Sequence, residues 1–219
     1  YLGVILDKNL NWQCHIEALC SKLASGCHAL LRAREHFQTN ILRILYFSFI
    51  QSHLMYCIES WAWTFTTYLE PIRRLEKRAV RTLTFSQRNE TSRSIFVKLQ
   101  MLLFDSLREI NMVKCVSSII TDNRPFHVSI LRMPARPTRN KTFFSFNIPP
   151  TRNVYGQRLV EFIGIKIWNK LPFEVKQNKN VSHWLKKILP SANVRGTCLN
   201  MFIPCTRPIV YLSTNMFLC

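Results

Sequence analysis

Apolar side chains recur at steps of three and four residues through the first half of the chain, a spacing that predicts amphipathic helices. The first predicted helix covers residues 12–34, with Asn11 placed to cap it. The second starts at a cap, Thr39 or Asn40, and carries apolar residues as far as Cys57. Because it is apolar most of the way round, we expect it to be the central, most buried helix.

Two more helices follow the same pattern. One covers residues 68–84 and tolerates Pro71 in its first turn, and the other is capped by Asp105 and runs to about residue 120. Between them, residues 87–94 are polar and read as a loop, and 95–103 form a short apolar segment. Together these elements predict a mainly α fold, with a helical bundle over residues 12–121.

The first eleven residues have the composition of a short strand followed by a turn. Leu2, Val4, Ile5 and Leu6 form an apolar run that Gly3 interrupts, and a turn cluster lies at 7–9. A strand needs a hydrogen-bonded neighbour. We therefore expect an exposed, adhesive N-terminal β segment whose partner strand would precede residue 1.

The composition changes after Asp122. Residues 123–160 contain no acidic side chain and several prolines, which predicts an extended basic arm over residues 122–154. Such an arm either orders on RNA or DNA or is a plain connector. A further helix at 157–171, ended by Pro172, and an amphipathic piece at 181–189 predict a small C-terminal helical region over 155–190. The tail, 191–219, shows neither period and stays unassigned.

Charge indicates the kind of partner. The 219 residues include 30 Lys and Arg against 12 Asp and Glu, a net charge of +18. This excess favours nucleic acid as the partner over a membrane, and the alternative is that the charge serves solubility alone. The eight cysteines include no C-x2-C pair, so no zinc site is expected and an intracellular, reducing compartment fits best. The apolar run at 44–50 is far short of the roughly 20 residues of a membrane span.

The third helix concentrates this charge on one face, where only Glu76 carries the opposite sign. A nearly one-signed face is expected where phosphates bind, whereas a solvated face usually mixes signs. The alternative is an ordinary exposed basic face. The candidate phosphate contacts are Arg73, Arg74, Lys77, Arg78 and Arg81 on the helix, with Arg136, Arg139 and Lys141 from the arm.

Catalytic motifs are missing from the sequence. The aspartates, Asp7, Asp105 and Asp122, are far apart, and no Asp-Asp pair offers the carboxylate clamp that Mg²⁺ needs for nucleotidyl transfer. The five glycines form no P-loop and no G-x-G-x-x-G. We therefore expect no enzymatic activity, no catalytic residue, no metal site and no cofactor in this chain.

Four segments, taken in order, carry a resemblance to a known family. They are YLGVILDKNLNWQCHI at 1–16, LYFSFIQSHLMYCIESW at 45–61, LEPIRRLEKRAVRTLT at 69–84 and RNVYGQRLVEFIGIKIWNKLP at 152–172. Together they resemble the reverse transcriptases of non-LTR retrotransposons of the Jockey-like LINE type. The first resembles the segment after the catalytic palm, the next two resemble the thumb, and the last resembles a signature near the C-terminus.

The resemblance implies that Tyr1, Leu2 and Gly3 belong to a primer-grip hairpin and that the bundle is thumb-like. The parent family is an RNA-directed DNA polymerase that uses Mg²⁺. Its palm aspartates and fingers would precede residue 1, so this chain would be a truncated, non-catalytic fragment. The resemblance implies two kinds of partner: template–primer RNA and DNA, bound without sequence preference, and the missing palm and fingers. It implies no membrane and no small-molecule partner. The alternatives are a helical protein-interaction module that meets an acidic protein, or a degenerate transposon copy without function.

Overall fold

Helices follow one another through the residues that the computed structural model describes, which are 2–84, 91–122, 145–172 and 175–176. Of these residues 71% are helical and none is in a strand, which confirms the mainly α class. The α-helices are α1 Gln13–Ala33, α2 Thr39–Tyr46, α3 Ser52–Met55, α4 Ile58–Trp61, α5 Thr66–Thr84, α6 Ser92–Lys98, α7 Phe104–Asp122 and α8 Val160–Lys170, with a π-helical turn at Phe47–Gln51 and a 3-10 turn at Gly156–Arg158.

The larger core lies between α1 and α5, with α2, α4 and α6 around them. Leu23 and Leu30 of α1 and Ile72 of α5 have no exposed surface. The ring of Trp61 stacks on that of Phe104, with centroids 5.7 Å apart and planes inclined by 14°. Each such side chain contributes about 1.5–3 kcal/mol when it leaves water. Burial of the apolar stripes thus holds the bundle together.

A second core joins α7 to α8. Met112 and Val116 of α7 pack against Trp168 of α8, and the approach is close at Gly164, where a Cβ atom would lie 2.8 Å from Val116 Cγ2. The side chain of Asn169 binds both backbone groups of Phe146, accepting from its N–H at 3.0 Å and donating to its carbonyl at 2.8 Å. Residues that follow the arm in sequence therefore pack on the last helix of the bundle.

The predicted second helix is interrupted twice. A π turn follows Tyr46, and at Cys57 the backbone takes a left-handed conformation, with φ 49°, that separates α3 from α4. The fully buried positions on this stretch are four residues apart, a spacing that drifts by roughly 40° per step on an α-helix. The wider π turn corrects this drift and keeps one face buried. These positions are Leu42, Tyr46, Ile50, Leu54 and Ile58.

Residues 2–11 do not form the predicted short β segment. Leu2 and Gly3 have φ values of 46° and 80°, which place them in a turn and exclude an extended strand. The hydroxyl of Tyr56 donates to the Leu2 carbonyl, and the Ile5 N–H donates to Nδ1 of His15 at 3.4 Å. Side chains thus take the place of a neighbouring strand. The predicted exposure of this end is present, since Leu2 is 72% exposed.

Four predicted helix starts also differ from the structure. Asn11 does not cap α1; the carboxylate of Asp7 accepts from the N–H groups of Asn11 and Trp12 at 3.0 and 3.1 Å. Asp105 lies inside the first turn of α7, where its carboxylate binds arginines. Gln38 precedes α2 and makes no side-chain cap. Helix α5 starts two residues earlier than predicted, so Pro71 is its sixth residue.

Candidate nucleic-acid interface

The apolar positions of α5 fix which of its faces meets solvent. Leu69, Ile72, Ala79 and Leu83 are fully buried against α1, α2 and α6. The opposite side of an α-helix is then exposed along its whole length. Four of the eight predicted phosphate contacts lie on that side.

Four cations share a narrow band of this surface, which we call the basic stripe. Arg74, Lys77 and Arg78 are exposed, and Arg81 is half-buried. Their spacing of three, four and seven residues places them within about 100° of arc and along about 10 Å of helix axis. No carboxylate of the described residues forms an ion pair with any of them. The described part of the chain therefore leaves the stripe available to an anionic partner.

Arg73 is committed to contacts within the protein. Its side chain is 14% exposed and donates to Asp105 from Nε at 3.0 Å and from Nη2 at 2.9 Å, and to Glu70 from Nη1 at 2.7 Å. The hydrogen bonds to Asp105 are the main reason that the pKa of Arg73 is raised. Arg73 therefore joins α5 to α7 and does not extend the basic stripe.

Glu76 does not oppose the stripe, because it is buried. Only 1% of the residue is exposed, and the Phe104 backbone N–H donates to its carboxyl group. Burial, and then the nearby negative charge of Asp105, raise the pKa of Glu76 well above its ordinary value. Because it is buried, the side chain adds no negative charge to the exposed surface. All the charge that α5 exposes between residues 74 and 81 is positive.

Among the described residues, no contact links the other predicted site residues to the basic stripe. Arg136, Arg139, Lys141 and Tyr1 lie outside the part of the chain that the structure describes. Leu2 and Gly3 form an exposed turn beside Tyr56.

The structure also brings together residues that the sequence pattern did not indicate. The guanidinium carbon of Arg158 lies 3.4 Å from the centroid of the Phe65 ring and 5.7 Å from that of Tyr155. In a second pair, the guanidinium carbon of Arg108 lies 4.7 Å from the centroid of the Trp63 ring. These partners are 45 and 93 residues apart in sequence, except for the local pair Tyr155 and Arg158. Neither periodicity nor local spacing could have found them.

No known protein family, curated protein or solved structure matches this chain. None of the helices in the described ranges is long and apolar enough to cross a membrane. Within the same ranges, no three His, Cys, Asp or Glu side chains gather as metal ligands would. The basic stripe is the surface feature with the clearest chemical preference, which is for anions.

Proposed function

We propose that this chain is a thumb-like and C-terminal fragment of a LINE-type RNA-directed DNA polymerase. Its biochemical role would be to bind template–primer nucleic acid without sequence preference, and it would not catalyse nucleotide transfer by itself. One observation carries the proposal. The charged side chains that α5 exposes from Arg74 to Arg81 are all cationic, because Glu76 is buried.

Geometry and charge both support a nucleic-acid backbone as the ligand. The stripe extends along about 10 Å of helix, and duplex DNA presents one negative charge per roughly 1.7 Å of its axis. Arginine offers several N–H donors in a planar fork that matches phosphate oxygens. Contacts of this kind hold a duplex in register without reading its sequence.

Charge reversal on the stripe tests the proposal. The variant Arg74→Glu, Lys77→Glu, Arg78→Glu changes three exposed side chains and leaves the half-buried Arg81 in place. We expect it to bind a short random-sequence RNA–DNA hybrid at least about tenfold more weakly than the wild type, measured by fluorescence anisotropy at fixed salt. Circular dichroism of both proteins checks that the helices remain.

A matched control separates position from net charge. Lys8, Lys22 and Arg32 are also exposed, and reversing them changes the net charge by the same amount. The proposal requires this control to retain most of the wild-type affinity. Equal losses in the two variants would contradict a localised interface. Hybrid binding that is absent from the wild type would instead favour an acidic protein as the partner of the basic face.

Primer extension tests the non-catalytic part of the proposal. A primed RNA template, deoxynucleotides and Mg²⁺ or Mn²⁺ are supplied to the full chain. We expect no extended product, because no paired carboxylates are present in the sequence to clamp the metal ions. A product that depends on this chain would show that the assignment as a binding fragment is wrong.

A further inference from the structure

A cavity of about 270 Å³ lies where three segments distant in sequence meet. One segment precedes α1, one connects α4 to α5, and the third contains the 3-10 turn before α8. Its walls combine aromatic rings, one guanidinium group, three hydroxyl groups and a glycine. The lining residues are Leu10, Trp12, Ser60, Trp63, Thr64, Tyr155, Gly156, Arg158 and Leu159.

The cation in the wall is held by aromatic rings. Arg158 lies over Phe65 and near Tyr155. No carboxylate in the described ranges forms a salt bridge with it. Arg108 covers one face of Trp63, so this ring is fixed in position at the cavity wall. A guanidinium group held in this way remains available to an anion.

The backbone of this wall is held in a strained conformation. Leu10 and Trp12 have φ values of 49° and 64°, in the left-handed region that side chains larger than glycine rarely adopt. Hydrogen bonds fix them there: Asp7 accepts from the Trp12 N–H, and the Thr64 hydroxyl donates to the Asn11 carbonyl at 2.7 Å. Strain of this kind persists where the surroundings impose it, and it concentrates at binding and catalytic sites.

We propose that this cavity binds a single unpaired nucleotide, with its base against the aromatic wall and its phosphate at Arg158. Aromatic side chains stack on any base, because every base has a π face. The volume is near the lower end of small-molecule pockets, roughly 300–1,000 Å³, which excludes a duplex. The site is therefore separate from the basic stripe, and it does not depend on the proposed polymerase ancestry. A free nucleotide and a nucleotide within a strand present the same chemistry.

The test compares probes that differ only in their bases. An oligothymidylate and an abasic oligomer of the same length carry the same phosphates. We expect the wild-type chain to bind the oligothymidylate about tenfold more tightly, within the range for base–aromatic stacking. Thymidine monophosphate, added as a competitor, shows whether a free nucleotide is also accepted. Equal affinity for both oligomers, without displacement by the monophosphate, would overturn the proposal.

Variants assign the preference to the cavity. Arg158→Gln and Trp12→Leu are expected to abolish the tenfold difference between the two oligomers. Arg152→Gln changes an exposed arginine of the same segment that does not line the cavity, and it should retain the difference. A preference that survives in both cavity variants would also overturn the proposal. The wild-type comparison needs no variant, so it remains decisive if a cavity variant fails to fold. Hybrid binding through the basic stripe is measured separately and can fail or succeed on its own.

Discussion

Arg73 of α5 and Asp105 of α7 face each other fork to fork. The Nε atom donates to Oδ2 at 3.0 Å and Nη2 donates to Oδ1 at 2.9 Å. Arg108 adds a contact of 3.1 Å to the same Oδ1 atom. Partial burial disfavours the Asp105 charge, but the bonds from Arg73 and the charge of Arg108 outweigh it and lower the pKa of Asp105. Of two adjacent arginines of α5, Arg73 therefore has a structural role, whereas Arg74 is exposed.

The first prediction contrasts these two neighbours. Arg73→Gln should lower the free energy of unfolding by about 1 kcal/mol, since it breaks a charge-assisted pair that is partly open to water. It should leave affinity for an RNA–DNA hybrid unchanged. The matched variant Arg74→Gln should leave the free energy of unfolding nearly unchanged and weaken hybrid binding. Arg74 is exposed and contacts no carboxylate among the described residues. Urea unfolding and fluorescence anisotropy measure the two effects. Weaker hybrid binding by Arg73→Gln alone would contradict the assignment.

The second prediction concerns the pH dependence that Glu76 imposes. Burial raises its pKa in the folded chain, so the unfolded state loses the proton first, above about pH 4.3. From there up to the raised pKa, stability falls with increasing pH, by at most about 1.4 kcal/mol per unit. Glu76→Gln removes this loss. We expect the free energy of unfolding of the variant, measured with urea, to rise relative to that of the wild type as pH increases from 5 to 8. A difference between the two proteins that stays constant with pH would show that Glu76 ionises inside the fold.

Glu109 of α7 gives a third prediction, with a narrower window. Burial is the main cause that raises the pKa of Glu109 to about 7, and the positive charge of Arg108 opposes the shift. Its contribution to stability is complete below about pH 4.3 and is lost as pH rises towards 7. The free energy of unfolding of Glu109→Gln should therefore rise relative to that of the wild type up to about pH 7, and the difference should stay constant above it. A carboxyl signal titrating near pH 7 by NMR, absent from the variant, would confirm the assignment.

The fourth prediction tests the close approach of α1 to the π turn. A Cβ atom at Gly26 would lie 2.9 Å from Ile50 Cδ1 and 3.1 Å from the carbonyl oxygen of Phe49. A backbone oxygen cannot move aside as a side chain can, so Gly26→Val should cost about 1–3 kcal/mol by overpacking. Ser25→Val introduces the same side chain at the exposed neighbouring position and should cost well under 1 kcal/mol. Similar losses in both variants would contradict overpacking at Gly26, since valine has a better helix propensity than glycine.

Local spacing predicted much of the fold and part of the site. The step of three and four placed α1 within one residue of its observed ends, and it identified the basic face of α5. The same spacing also contained the position of Glu76, which shares the apolar register of Ile72, Ala79 and Leu83. Its burial could have been predicted if register had been given more weight than charge.

Contacts between distant segments were beyond the reach of the sequence. Asp105 was expected to cap α7. It is 32 residues from Arg73 in sequence, and no local pattern predicts that the two side chains pair. The cavity is a similar case, because Trp12, Trp63 and Arg158 come from three segments that lie far apart in sequence. Periodicity assigns each residue to a face of its own helix, but which faces meet is decided by packing.

The last prediction concerns salt. If the basic stripe contacts phosphates, binding releases counterions, and log affinity falls linearly with log salt by about 0.9 for each phosphate neutralised. Arg74→Gln, Lys77→Gln, Arg78→Gln should then reduce that slope by about 2.7. With six or more phosphates engaged overall, wild-type affinity for a hybrid should drop about 10³-fold or more between 50 and 200 mM salt. Titrations of both proteins over this range measure the two slopes. A flat wild-type response, or equal slopes, would show that the stripe does not contact the nucleic-acid backbone.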